Sequence, residues 1–241
     1  IYPSVQFSLD SLFQKTKISP QNAQVTIDNI PLIQGGITSI YQQYQNLKQP
    51  NLIKLKVARE SVESDIHHFQ QLCALNPDLQ IRCDANQAWD KRQAEQFFSA
   101  INTKQLDYIE EPTPDQQTNL LLAEKYHFYL GLDETLQHAN FAYQPHHCIK
   151  ALIIKPSLIG SRDKLDQLVS IANRDGLLVS ISSSFESAVG LQQLKDLAHQ
   201  YLAEQDNNNL TLSLGIDTLK YFDGTLLKQT SQIERDSMQL E

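Results

Sequence analysis

Between Leu52 and Leu219 the chain switches repeatedly between short apolar runs and longer stretches with apolar residues three and four apart, the patterns of buried strands and amphipathic helices. The alternation predicts strands at 52–58, 79–86, 106–111, 129–133, 151–155, 177–182 and 215–219. Helices are predicted between them at 60–75, 90–101, 116–125, 161–174 and 188–203, with a short helical segment after Asp133. Upstream, Val5, Leu9, Leu12 and Phe13 give Tyr2 to Phe13 helical spacing, and Lys15 to Gln24 reads as a loop. Ile30 to Ile33 reads as a first strand, stopped by Gly35-Gly36, and Ile37 to Leu47 as a helix. Repeated strand–helix units imply a parallel sheet with right-handed crossovers, and eight strands point to an α/β fold closed as a TIM-like barrel. An open doubly wound sheet is the alternative, but Gly35-Gly36 lacks a GxGxxG context and Gly131, Gly160, Gly176 and Gly190 stand alone.

Length agrees with that picture, since 241 residues suits one barrel of about 250. The expected organisation is one domain: 1–24 as a linker helix and loop, 25–219 as the barrel, and 220–241 as a polar C-terminal tail. Against 20 Lys and Arg stand 28 Asp and Glu, a net charge of −8, which argues against nucleic acid or an anionic membrane surface as a partner. No apolar run reaches the roughly 18 residues of a membrane span. Cys73, Cys83 and Cys148 are odd in number without CxxC spacing, so they read as reduced thiols in a cytoplasmic protein. His67-His68 and His146-His147 are adjacent pairs without the i, i+4 spacing of a helical zinc site, and read as surface positions. Trp89 reads as core or rim. The start at Ile1, inside a structured segment, suggests that something precedes it.

Chemistry concentrates where the strands end. In Leu79 to Trp89 the period of two puts Arg82, Asp84 and Asn86 on one face and Ile81, Cys83 and Ala85 on the other. Other strands finish on Lys54 and Lys56, Glu110, Asp133 and Lys155. In a parallel barrel these ends share one face, so Asp84, Glu110 and Asp133, 26 and 23 residues apart, converge there. Three carboxylates in a partly dry site repel one another, which a divalent cation resolves, and all-oxygen ligands favour Mg²⁺ over zinc or copper. Lys54 and Lys56, two apart on one strand, share a face, so their mutual repulsion and partial burial push one amine towards a pKa at which it acts as a base. Acids for a metal, lysines and no evident nucleophile point to proton abstraction beside a carboxylate, with the enediolate offset by Mg²⁺. A Schiff-base lysine at Lys56 or Lys155 in an aldolase-type barrel is the rival enzyme class.

Lys-x-Lys, Asp-Ala-Asn, Glu-Glu-Pro, Asp-Glu-Thr and Lys-Pro, in that order between Lys54 and Pro156, resemble the enolase superfamily and its muconate-lactonizing branch, and the likeness extends from Tyr2 to Leu219. Within it, the segments around Arg82 and Lys155, Ile-Ser-Ser-Ser-Phe-Glu-Ser-Ala-Val-Gly-Leu and Gly-Ile-Asp-Thr-Leu look like the o-succinylbenzoate synthase family. The resemblance implies a modified (β/α)7β barrel and a syn-dehydration of 2-succinyl-6-hydroxy-2,4-cyclohexadiene-1-carboxylate (SHCHC), a small-molecule carboxylate, to o-succinylbenzoate. It implies Asp84, Glu110 and Asp133 as Mg²⁺ ligands, with Glu110 rather than Glu111 taking that role. Lys56 would be the base that returns its proton to the departing hydroxide, Lys155 a cation facing the enediolate, and Lys54 the neighbour of the base. Arg82 and Asn86 would support the site, and Ser182, Ser183 and Gly215 would line the pocket for the succinyl carboxylate.

The chain departs from the family pattern in two ways. The family places a capping domain ahead of the barrel, and this chain starts where that domain should have ended. Phe185 stands where a smaller aliphatic residue is expected. N-acylamino acid racemases and dipeptide epimerases share the lysines and acids, and a barrel fragment made inert by loss of its cap is the non-enzymatic alternative.

Overall fold

The computed structural model describes residues 2–13, 27–203 and 210–221. The loop expected at 15–24, the Asn207–Asn209 run and the tail from Asp223 lie outside the described residues. The chain divides into two compact units, Ile30–Ile153 and Ile1–Asn29 with Ile154–Glu241.

In the first unit, β1 (Leu32–Ile33), β2 (Leu52–Lys56), β3 (Gln80–Asp84), β4 (Leu106–Glu110), β5 (Leu130–Leu132) and β6 (Ile149–Ile154) pair in sequence order, each parallel to the next. Between them run α2 (Ile37–Asn46), α3 (Val62–Leu75), α4 (Lys91–Ala100), α5 (Gln116–Tyr126) and the one-turn α6 (Glu134–Gln137). Local chemistry sets several of these boundaries. Ser61 caps α3 by accepting the Ser64 N–H at 3.2 Å, and Asp90 and Gln93 form a reciprocal capping box on α4. Asp115 caps α5, which ends where His127 turns left-handed at φ 55°.

An aromatic layer joins the helices to the sheet. Phe98 stacks on Phe128 at 3.9 Å between centroids, Trp89 packs on Phe97 at 4.7 Å, and Phe69 meets Phe97 edge-on at 5.9 Å. All five rings are buried, and each adds about 1.5–3 kcal/mol of apolar burial.

The second unit holds α1 (Pro3–Phe13), α7 (Pro156–Ile159), α8 (Arg162–Asp175), β7 (Leu178–Ser182), α9 (Ala188–Ala203) and β8 (Leu212–Gly215). β7 and β8 are parallel. Ser161 caps α8, and Gly176, left-handed at φ 68°, ends it. Helix α1 lies against α7 so closely that a Cβ on Gly160 would sit 2.9 Å from the Pro3 Cα.

The closing strand differs from expectation: it is Leu212–Gly215 and not 215–219. Up to Gly215 the backbone bonds across strands, with the Leu214 N–H on the Asp28 carbonyl at 2.9 Å. Beyond it the bonds turn local, Thr218 N–H to Ile216 and Tyr221 N–H to Thr218, and Leu219–Tyr221 forms a 3-10 turn. Among the described residues no helix is long and apolar enough to cross a membrane. The three cysteines are unpaired, with Cys83 and Cys148 buried.

Candidate active site

Asp84 and Glu110 close β3 and β4, and Asp133 follows β5 directly. The sheet register sets Lys56 beside Asp84 and Asp84 beside Glu110. All three carboxylates are buried, and each offers an oxygen within 4.8 Å of the others. The structure thus brings together the three acids singled out by their places at strand ends.

Two ammonium groups partly balance this charge. Lys54 Nζ lies 2.5 Å from Glu110 Oε2 and 2.7 Å from Asp84 Oδ2. Lys56 Nζ donates to Asp84 Oδ2 at 2.6 Å and to Asn86 Oδ1 at 2.7 Å. Burial alone would lower the Lys54 pKa, but Asp84, Glu110 and Asp133 outweigh it and hold the group well above the usual lysine value. Lys56 moves the other way: burial dominates, Asp84 offsets part of it, and repulsion from Lys54 adds to the lowering. The Lys-x-Lys pair is therefore split into a fixed cation and a more readily deprotonated amine.

The acids are split as well. Burial pushes Asp84 up, yet Lys54 and Lys56 together hold it well below the ordinary range. Burial above all raises Glu110 to about 8; Lys54 pulls it back, and the negative charges of Asp84 and Asp133 add to the rise. The pocket therefore carries more carboxylate than its lysines neutralise. A proton on Glu110 or a further cation relieves the excess, and three oxygen donors at this spacing fit Mg²⁺.

The surrounding shell includes residues that sequence patterning did not single out. Glu111 Oε1 accepts the backbone N–H groups of Asp133 and Thr135, both at 2.8 Å, and its other oxygen accepts Gln87 Nε2. Glu111 thus fixes the backbone that presents Asp133, and the doubled acid of Glu-Glu-Pro was the available signal. Asn86 and Gln87 are both left-handed, at φ 46° and 59°, which turns the chain sharply after β3. That turn lets Asn86 bridge Lys56 to Glu134, whose Oε1 accepts Asn86 Nδ2 at 3.0 Å. Glu134 Oε2 is buried and has no hydrogen-bond partner.

Arg82 lies two residues before the cluster, its Nε 2.8 Å from Asp107 Oδ2 and its guanidinium over the Tyr108 ring. Lys150 Nζ meets the other Asp107 oxygen at 2.5 Å, so β3, β4 and β6 are tied by one charged chain.

The remaining predicted residues belong to the second unit. Lys155 sits at the N-cap of α7, where its carbonyl accepts Leu158 and Ile159 N–H groups at 2.9 and 3.0 Å. Ser182 Oγ lies 3.0 Å from Ser180 Oγ, and Ser183 Oγ donates to Glu186 Oε2 at 2.6 Å. Glu186 also accepts Ser184 and Ser157, and although burial raises its pKa these hydroxyls bring it below the usual value. Gly215 admits the Ser182 hydroxyl at close range, since a Cβ there would lie 2.5 Å from Ser182 Oγ. Phe185 is 60% exposed and left-handed at φ 69°.

The family described as enolase C-terminal domain-like matches residues 41–223. The o-succinylbenzoate synthase of Haemophilus influenzae is 30% identical over 230 residues, 94% of this chain and 68% of that protein. That of Salmonella paratyphi B is 32% identical over 200 residues, 81% of this chain and 62% of that protein. The chain therefore spans about two thirds of the length of these relatives. Among solved structures, o-succinylbenzoate synthase from Thermosynechococcus elongatus BP-1, complexed with Mg in its active site, superposes with a TM-score of 0.66. It is 24% identical, and the match covers 89% of this chain and 67% of that one. The likeness is one of fold, an α/β barrel of parallel strands, the class that the strand–helix alternation predicts.

Proposed function

This chain belongs to the enolase C-terminal domain-like family, and from that premise we propose that it is the barrel of a Mg²⁺-dependent dehydratase converting SHCHC to o-succinylbenzoate in menaquinone biosynthesis. The observation that carries this reading is the buried Asp84–Glu110–Asp133 cluster with Lys56 at its edge, hydrogen-bonded to Asp84 and lowered in pKa. Its o-succinylbenzoate synthase relatives supply the substrate.

Asp84, Glu110 and Asp133 would hold Mg²⁺, which when bound supplies the positive charge that offsets the enediolate form of the substrate. Lys56 removes the proton beside the carboxylate, helped by a pKa shifted towards neutrality, and hands it to the departing hydroxide as water. Asn86 keeps the Lys56 amine in place through its side-chain carbonyl, and Glu111 keeps Asp133 in place through the backbone. Lys54 remains a cation throughout and limits repulsion among the acids. Lys155 supplies a second fixed positive charge to the substrate ring. Arg82 steadies β3 below the cluster. Ser182, Ser183 and Gly215 receive the succinyl carboxylate, Gly215 by leaving room for the Ser182 hydroxyl. Exclusion of water requires a lid, which in this family comes from a domain ahead of the barrel.

The test is turnover of SHCHC with Mg²⁺, followed by the absorbance change on aromatisation. Lys56→Ala should remove most activity while leaving the circular dichroism of the protein unchanged. A folded Lys56→Ala variant with wild-type turnover would sink the assignment of the base.

A further inference from the structure

The segment entering β6 assembles a second group of ligating side chains, away from the acids. Cys148 immediately precedes β6, so it lies at the N-terminal end of a parallel strand, whereas Asp84 and Glu110 terminate β3 and β4 at the opposite end. His146, His147 and Cys148 each present a ligand atom, and these lie within 4.8 Å of one another. Adjacency along the chain does not by itself accomplish this; a tight turn does. The His146 carbonyl accepts the Ile149 N–H at 2.9 Å, and the Cys148 carbonyl accepts the Leu130 N–H at 2.8 Å, which pins the turn to β5. The two imidazoles stack with centroids 4.6 Å apart and planes 22° from parallel.

His146 is oriented on both edges. Its Nε2 faces Glu124 Oε1 on α5 at 3.4 Å, and its Nδ1 accepts the Cys148 backbone N–H at 3.2 Å. In the neutral ring this places the proton on Nε2, towards the carboxylate, and leaves the Nδ1 lone pair to accept the Cys148 backbone N–H. A carboxylate on the far N–H of an imidazole is the orienting contact that metal-binding histidines use, and a cation at Nδ1 displaces the 3.2 Å bond from the Cys148 backbone N–H.

We propose that His146 Nδ1, the His147 imidazole and Cys148 Sγ bind a borderline-soft divalent cation, best matched by Zn²⁺, with Glu124 as the positioning carboxylate and water as the fourth ligand. Imidazole and thiolate donors select such an ion over Mg²⁺. Bonds of about 2.0–2.3 Å to a tetrahedral centre need the three donors to draw in by roughly 1 Å, a side-chain adjustment on a fixed turn. His147 is exposed and His146 half-buried, which leaves an approach from solvent. On binding, the Cys148 thiol gives its proton to solvent and the sulfur forms the metal bond as thiolate.

The test saturates the acid cluster of the full 241-residue chain with Mg²⁺ and titrates Co²⁺ as a spectroscopic stand-in for Zn²⁺. The expected result is a near-ultraviolet thiolate-to-cobalt charge-transfer band that saturates at one equivalent and is displaced by Zn²⁺. An all-oxygen site gives no such band. Cys148→Ser should abolish it and Cys73→Ser should leave it. Glu124→Gln, at an exposed position on α5, should keep the band but weaken binding by about 10–100-fold. Absence of the band in the wild type, its survival in Cys148→Ser, or unchanged affinity in Glu124→Gln would each overturn the proposal.

Discussion

Replacing Lys54 by Met removes one charge from the cluster while keeping most of the side-chain volume. Its ammonium lies 2.5 Å from Glu110 and 2.7 Å from Asp84, with the Lys54 side chain 15% exposed and the two acids 2% and 1% exposed. At that burial solvent screening is small, and removing one member of a buried ion pair costs about 3–5 kcal/mol because the partner charge is left uncompensated. The protein as a whole is expected to be stable by about 5–15 kcal/mol, so the loss is large and measurable. Mg²⁺ should return much of it. In the wild type the cation competes with the Lys54 ammonium for the same carboxylates, whereas in Lys54→Met it does not. A ligand at a hundredfold excess over its dissociation constant adds about 2.7 kcal/mol. Urea unfolding at pH 8, with and without Mg²⁺, reads both effects. The reasoning fails if Lys54→Met loses less than about 1 kcal/mol without metal, or if Mg²⁺ stabilises it less than it stabilises the wild type.

Two other outcomes follow from the same structure. Asp65 is buried, accepts the Ala58 N–H at 2.8 Å, and is pushed by burial to about 6 from an ordinary 3.8. The native state thus holds an extra proton, so this residue's contribution to stability falls as pH rises from about 4 to about 6; Asp65→Asn should flatten the stability–pH profile over that range, as measured by thermal melts at successive pH values. Gly131→Ala would place a Cβ 2.6 Å from Ile153 Cδ1 and 3.1 Å from the Tyr108 ring, and should cost about 1–3 kcal/mol by overpacking, read as a lower urea midpoint at an unchanged slope.

The parts of the fold and site legible in the sequence are those encoded by local pattern. Strand positions at 52–56, 80–84 and 106–110 follow from alternating apolar residues, and the ionisable residues at their ends then fall together because parallel strands share a direction. The lowered pKa of Lys56 comes first from burial, which no local pattern gives in full, and only in part from the Lys54 beside it on the same strand. What local pattern missed depends on partners far away in sequence. Glu111 acts through backbone groups of Asp133 and Thr135, and Asp107 joins Arg82 to Lys150, 43 residues further on. Glu186 gathers hydroxyls from Ser157 as well as from its own loop. The sequence pattern starts the last strand at 215 and the structure starts it at Leu212, because Ile216 and Leu219 continue the apolar run after the cross-strand bonds have ended at Gly215. The His146–Cys148 turn was hidden for the same reason: a helical ligand spacing is readable, while a turn pinned by Leu130 is not.

The central claim is that Asp84, Glu110 and Asp133 form one cation site. Calorimetric titration of Mg²⁺ into the wild type and into Asp133→Asn, both shown to be folded, tests it most directly. The account predicts one Mg²⁺ per chain in the wild type and binding weakened by at least ~10-fold in Asp133→Asn. Equal affinity in the two proteins, or no Mg²⁺ binding by the wild type, would contradict it.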